Sequence, residues 1–93
     1  MQLTDNATYT IYVGSNNDTK QLELDLIKEI AGRRHDGYTL YNATGAWLGS
    51  EEDTAVLIIS DTVLKINRTL TDLKLDLNQD AIGYQVSPNL QFA

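Results

Sequence analysis

The order of the periodic segments constrains this chain most. Within 93 residues, strand-like alternation and helix-like spacing interleave as strand, helix, strand, strand, helix, strand. Residues 7–14, ATYTIYVG, set Tyr9, Ile11 and Val13 on one face and Thr8, Thr10 and Tyr12 on the other, as expected of a strand with one covered side. Gly14 to Asn17 break that alternation. Asp18, followed three positions later by Gln21, predicts a capping box that opens a helix. Leu22, Leu26, Ile27 and Ile30 recur at helical spacing, and Gly32 is placed to close the helix.

A second strand, Tyr38 to Ala43, runs on through Thr44, Gly45, Ala46, Trp47 and Leu48, with Gly45 predicting a bulge or bend. Gly49 to Glu52 reads as a hairpin tip, and residues 54–59, TAVLII, as a central strand. Asp61 or Thr62 caps a second helix, whose Val63, Ile66, Leu70, Leu73 and Leu77 step by three and four. Asn78-Gln79-Asp80 ends it, and Ala81 to Val86 supply the last strand.

Two right-handed strand–helix–strand crossovers then place both helices on one face of a four-stranded antiparallel sheet. This is an α+β, ferredoxin-like βαββαβ plan in a single domain over residues 1–93, with the first and third strands in the middle. The covered side should carry Ile11, Val13, Leu40, Leu57, Ile59, Ile82 and Tyr84. Tyr12, Tyr41, Val56 and Ile58 fall on the open side, with Trp47 near its edge. That face is too apolar to stand in water, which predicts an interface: a homodimer or larger assembly, or else cover by the segment Asn89 to Ala93.

Charge limits the partners. Thirteen acids against seven bases give −6, which opposes binding to nucleic acid or to an anionic membrane. No cysteine is present, and no apolar run approaches the roughly 20 residues that span a bilayer. The start of the chain does not read as a signal peptide. The expected location is the cytoplasm, that of the host if the chain is viral.

The only dense basic cluster is Arg33-Arg34-His35. Paired arginines hold phosphate or carboxylate with directed hydrogen bonds, whereas basic residues at a helix end otherwise complement its dipole. His35 has neither a nucleophile nor a metal partner in sequence and reads as a solvated loop residue. Gly14 to Lys20 lacks the P-loop pattern, and Glu51, Glu52 and Asp53 read as a solvated turn. No metal set, cofactor motif or catalytic residue is predicted. Four Asn-x-Thr sequons, at Asn6, Asn17, Asn42 and Asn67, reflect a composition rich in Asn and Thr.

The stretches Tyr9 to Gly14, Asp36 to Trp47 and Leu77 to Ile82 resemble a family of small stand-alone proteins of phages, bacteria and haloarchaea, a domain of unknown function. The A-T-G-x-W turn and the Leu-Asn-Gln-Asp-Ala helix end carry the likeness. It implies the same α+β plan and a microbial or viral source, and draws attention to Tyr12, Tyr41, Thr44 and Trp47. Three functions compete. In the first, an assembly binds or sequesters an anionic, nucleotide-derived molecule, with Arg33 and Arg34 holding its charge, His35 beside them in the site, and Tyr41 and Trp47 stacking the ring. The second is a protein-interaction module, such as a phage inhibitor of a host protein. The third is a small dimeric barrel enzyme using His35 or a tyrosine.

Overall fold

Alternation of large apolar and small polar side chains makes the strands, and the three-and-four stripes make the helices. The computed structural model describes residues 2–87, with Trp47 described through its backbone. Its elements are β1 (Asn6–Val13), α1 (Leu24–Gly32), β2 (Thr39–Trp47), β3 (Ser50–Thr62), α2 (Val63–Asp76) and β4 (Gly83–Ser87). The sheet order is β2-β3-β1-β4, and each neighbouring pair is antiparallel. The ferredoxin-like plan read from the sequence is the observed one, with β1 and β3 central.

Register sets the two faces. Ile11 stands opposite Leu57 and Tyr84, and Leu57 opposite Leu40, so this row points to the helices. Ile11, Val13, Leu57 and Ile59 are fully buried there against Ile27 and Ile30 of α1 and Ile66 and Leu73 of α2. Each such side chain contributes about 1.5–3 kcal/mol by leaving water. Leu40 and Ile82 pack against this core while partly exposed. Tyr84 departs from expectation: it keeps the predicted side but is 51% exposed. It lies on the edge strand, its ring stacked on Tyr9 with centroids 5.3 Å apart.

Several local expectations are corrected. The α1 helix starts at Leu24, not after Asp18, and its N-cap Glu23 makes no side-chain cap. Asn16 takes over the role given to Asp18: its Oδ1 accepts from the backbone N–H groups of Asp18 and Thr19, and its Nδ2 donates to Glu23 Oε2. These bonds satisfy a turn instead of a helix end, with Lys20 at φ 62°. Gly32 is the last helical residue, not the residue beyond the helix. Gly45 makes no bulge, because the β2–β3 register runs unbroken through Gly45 opposite Glu52. Its missing side chain serves close approach instead, since a Cβ there would lie 2.7 Å from Thr54 Oγ1. The hairpin tip is Leu48-Gly49, both at positive φ, the backbone of a tight two-residue turn between Trp47 and Ser50. The second helix is capped as expected, Thr62 Oγ1 accepting from the Lys65 N–H at 3.4 Å. The segment Asn89 to Ala93, weighed as a cover for the open face, lies outside the described residues.

Candidate functional site

The basic loop is committed to the fold. Arg33 Nη1 lies 3.2 Å from Asp72 Oδ2 and 3.2 Å from Asp76 Oδ2 on α2, and Arg34 Nη1 lies 2.7 Å from Asp72 Oδ2. Hydrogen bonding from Arg34, with Arg33 adding to it, holds the Asp72 carboxyl below its ordinary range against the opposing effect of burial. These pairs tie the α1–β2 loop to α2 and set carboxylates beside both guanidinium groups, which offsets the positive charge an anionic ligand would meet.

His35 is not a solvated loop residue. Its side chain is 1% exposed, and Nδ1 sits 2.7 Å from Asp61 Oδ2 while Nε2 sits 2.7 Å from Thr69 Oγ1. In the neutral ring Nδ1–H donates to the carboxylate and Nε2 accepts the threonine hydroxyl, so every polar atom is satisfied. Burial raises the Asp61 pKa, but hydrogen bonds from His35 and the Thr62 N–H, with the fields of His35 and Lys65, outweigh it and hold the group below the usual carboxylate range. The three residues resemble a hydrolytic triad in chemistry, yet Thr69 is fully buried and reaches no substrate. They clamp the loop to the end of β3 and to α2.

The open face of the sheet is different. Across three strands Tyr12, Val56 and Tyr41 stand in one register row, with Thr10, Ile58 and Thr39 in the next. Tyr12 is 41% and Tyr41 50% exposed. Val56 is buried, because the two rings flank it, and Ile58 is half-buried. The interface expectation named all four residues; Val56 belongs to it as a floor, not as exposed surface. Tyr12 also donates its hydroxyl to Gln85 Oε1 at 3.1 Å. The helices hold Arg33, Arg34 and His35 on the opposite side of the sheet, so these three and Tyr41 do not converge. Trp47 is placed by its backbone in β2, opposite Ser50; its side chain lies outside what is described.

Sequence reasoning carried the second strand through Leu48 but began the third at Thr54, and so missed the β3 half of the β2–β3 ribbon, which starts at Ser50. β1 stops pairing at Val13 opposite Ala55, while β2 and β3 continue for five more rungs, Ala43–Thr54 to Trp47–Ser50. Beside that overhang, Thr44 and the Glu51 and Asp53 carboxylates meet Ser15 and Lys20 of the β1–α1 loop around a cleft of ≈450 Å³ that Glu52 also lines. Glu52 itself follows the parity of Val56 and belongs to the open face. Along the four strands every other residue on that face is uncharged. Glu52 Oε1 stands 4.0 Å from the point a Cβ on Gly14 would occupy. Parity counting back from Val56 would have found this lone carboxylate. Among the described residues no group of three or more ligating side chains is placed to hold a metal ion, and no helix is long and apolar enough to cross a membrane.

No model of a known family matches the chain, and comparison with the curated proteins finds no match. Solved structures do resemble it. A DUF3240 family protein from Shewanella baltica OS155 superposes with a TM-score of 0.67 at 17% identity, covering 100% of this chain and 97% of that one. A phage SAM lyase in complex with S-methyl-5′-thioadenosine gives a TM-score of 0.59 at 16% identity, covering 89% of this chain and 81% of that one. The de novo designed protein Foldit4 gives a TM-score of 0.54 at 17% identity, covering 91% and 97%. At these identities the likeness carries the fold alone.

Proposed function

We propose that this protein binds a small adenosine-derived molecule of the thioether or sulfonium type, at the root of the β2–β3 ribbon where it meets the open sheet face. The observation that carries the reading is Glu52, a single carboxylate on an otherwise uncharged face that also bears Tyr12 and Tyr41. Aromatic rings supply stacking for a base, and an isolated carboxylate attracts a cation or accepts hydrogen bonds from ribose hydroxyls or an amino group.

The ligand class departs from the anionic nucleotide expected from sequence. That expectation rested on Arg33 and Arg34, which are engaged by α2 carboxylates. The cleft beside Glu52 carries further acids and a single lysine, an environment that disfavours phosphate and favours positive charge. The phage SAM lyase of similar fold is in complex with S-methyl-5′-thioadenosine, an uncharged thioether without phosphate, and the sulfonium cation SAM suits the sign of this field. Trp47, six residues further along β2 than Tyr41, is retained as a stacking candidate.

Titration calorimetry against S-methyl-5′-thioadenosine, SAM and ATP tests the reading. The first two should bind and ATP should not; flat traces for the first two, or tightest binding of ATP, would reject it. The lyase neighbour also favours a second reading, that SAM is cleaved in this site with Glu52 near the reacting centre: the bond from sulfur to the aminobutyrate chain breaks as SAM's own carboxylate closes on that carbon, giving a lactone and S-methyl-5′-thioadenosine. Release of S-methyl-5′-thioadenosine from SAM, followed by chromatography and lost in Glu52→Gln, separates turnover from binding.

A further inference from the structure

We propose that the open sheet face docks on a second copy of this chain, and that this sets the Tyr12 and Tyr41 rings of one copy against the Glu52 carboxylate of the other, so that the ligand site is shared between copies. The inference rests on the nucleoside reading above and adds where the walls of the site come from.

Charge selects the occupant. Each copy carries −6, and two such bodies approach most favourably where charge is absent. The open face meets that condition row by row: Thr8 with Ser60, then Thr10, Ile58 and Thr39, then Tyr12, Val56 and Tyr41. A basic partner would be met by acids and an acidic one by bases, and these three rows offer neither, the one carboxylate of the face, Glu52, standing apart on the ribbon. A neutral, half-apolar surface is complementary to itself, as a two-fold or ring-forming contact between identical chains requires.

Size brings in the ribbon. Four strands at the usual spacing over the length of β1 present roughly 500 Å² of sheet, whereas a stable interface takes about 800 Å² from each partner. The five rungs beyond β1 supply further area on the same side. A two-stranded ribbon is marginal by itself, so support from a second body also explains its persistence. At its tip Leu48 is 89% exposed with φ 51°, where Asn or Gly would relieve the backbone. An apolar residue kept in that conformation fits a contact with another chain.

Geometry makes the site incomplete in one copy. The Glu52–Gly45 and Val56–Tyr41 pairs are four residues apart along the same strands, about 13 Å, and both helices pack on the other face of the sheet. A ligand lying there has one wall. An opposing copy supplies the second, with its tyrosines over the ribbon of the first.

Subunit complementation tests this with S-methyl-5′-thioadenosine as the probe. Tyr41→Ala and Glu52→Gln change exposed side chains and should fold normally, which thermal unfolding checks; each alone should weaken binding at least tenfold. Unfolded together and refolded as an equal mixture, they should recover about a quarter of the wild-type sites, the share of contacts in which an intact Glu52 faces an intact Tyr41. Recovery of none assigns both residues to one chain and overturns the inference. Ile58→Glu, away from the ribbon, should disperse the copies and abolish binding; a dispersed variant that still binds at wild-type strength also overturns it. Wild-type protein that is assembled but binds no probe rejects the nucleoside reading itself and removes the shared site with it.

Discussion

The two faces of the sheet are built from the same four strands, yet physical chemistry treats them oppositely. The helix side closes on itself: Ile11, Val13, Leu57 and Ile59 are fully buried by α1 and α2, and nothing further is needed to satisfy it. The other side carries Tyr12, Tyr41, Val56 and Ile58 with a single carboxylate and no element of the described chain across it. A fold can pack one face of a sheet with its own helices; the second face records what the protein meets. The contrast teaches that apolar character marks stability on one side and, on the reading proposed above, association on the other.

Substitution of neighbouring residues in β3 tests the comparison most strongly. Leu57→Ala should cost about 3 kcal/mol by leaving a cavity under both helices, read by denaturant unfolding. Ile58→Ala, one residue along and on the other face, should cost about 1 kcal/mol. Equal losses would erase the distinction. Next in size is the clamp on the helix side. His35→Ala strands the Asp61 carboxylate and the Thr69 hydroxyl and should cost about 2 kcal/mol, with little change in ligand binding, because the imidazole lies across the sheet from Tyr41.

The clasp between the basic loop and α2 gives a smaller, pH-dependent effect. The folded-state pKa of Asp72 is lowered, so its contribution is fully present above the unfolded value and disappears as pH falls through the folded one. Asp72→Asn should therefore cost about 1 kcal/mol near neutrality, and the gap from wild type should close below about pH 4. A gap that widens in acid would contradict the pairing. The smallest expected change is at the ribbon tip: Leu48→Asn should raise stability by about 0.5 kcal/mol by relieving the positive φ. If assembly weakens while stability rises, the tip belongs to the interface.

Much of this fold was legible because its periods are clean. The stripe Val63, Ile66, Leu70, Leu73, Leu77 and the alternation in β1 admit one element type each. What was not legible depended on three-dimensional partners. The capping box at Asp18 failed because Asn16, two residues earlier, offers the backbone a competing turn. His35 looked solvated because its partners, Asp61 and Thr69, are 26 and 34 residues away in sequence. Arg33 and Arg34 looked available to a ligand for the same reason, their carboxylates lying on the other helix. Glu52 was readable in principle, since strand parity alone puts it on the face of Val56. It was hidden inside a run of three acids taken as a turn, because the tip was expected at Gly49 to Glu52 when it is Leu48-Gly49.

Sedimentation equilibrium of the untagged protein addresses the association face most directly. The mass should come out as a multiple of the 10.4 kDa chain at micromolar concentration, and Ile58→Glu should return it to one chain without unfolding it. A wild-type protein that sediments at 10.4 kDa across the concentration range would contradict the account.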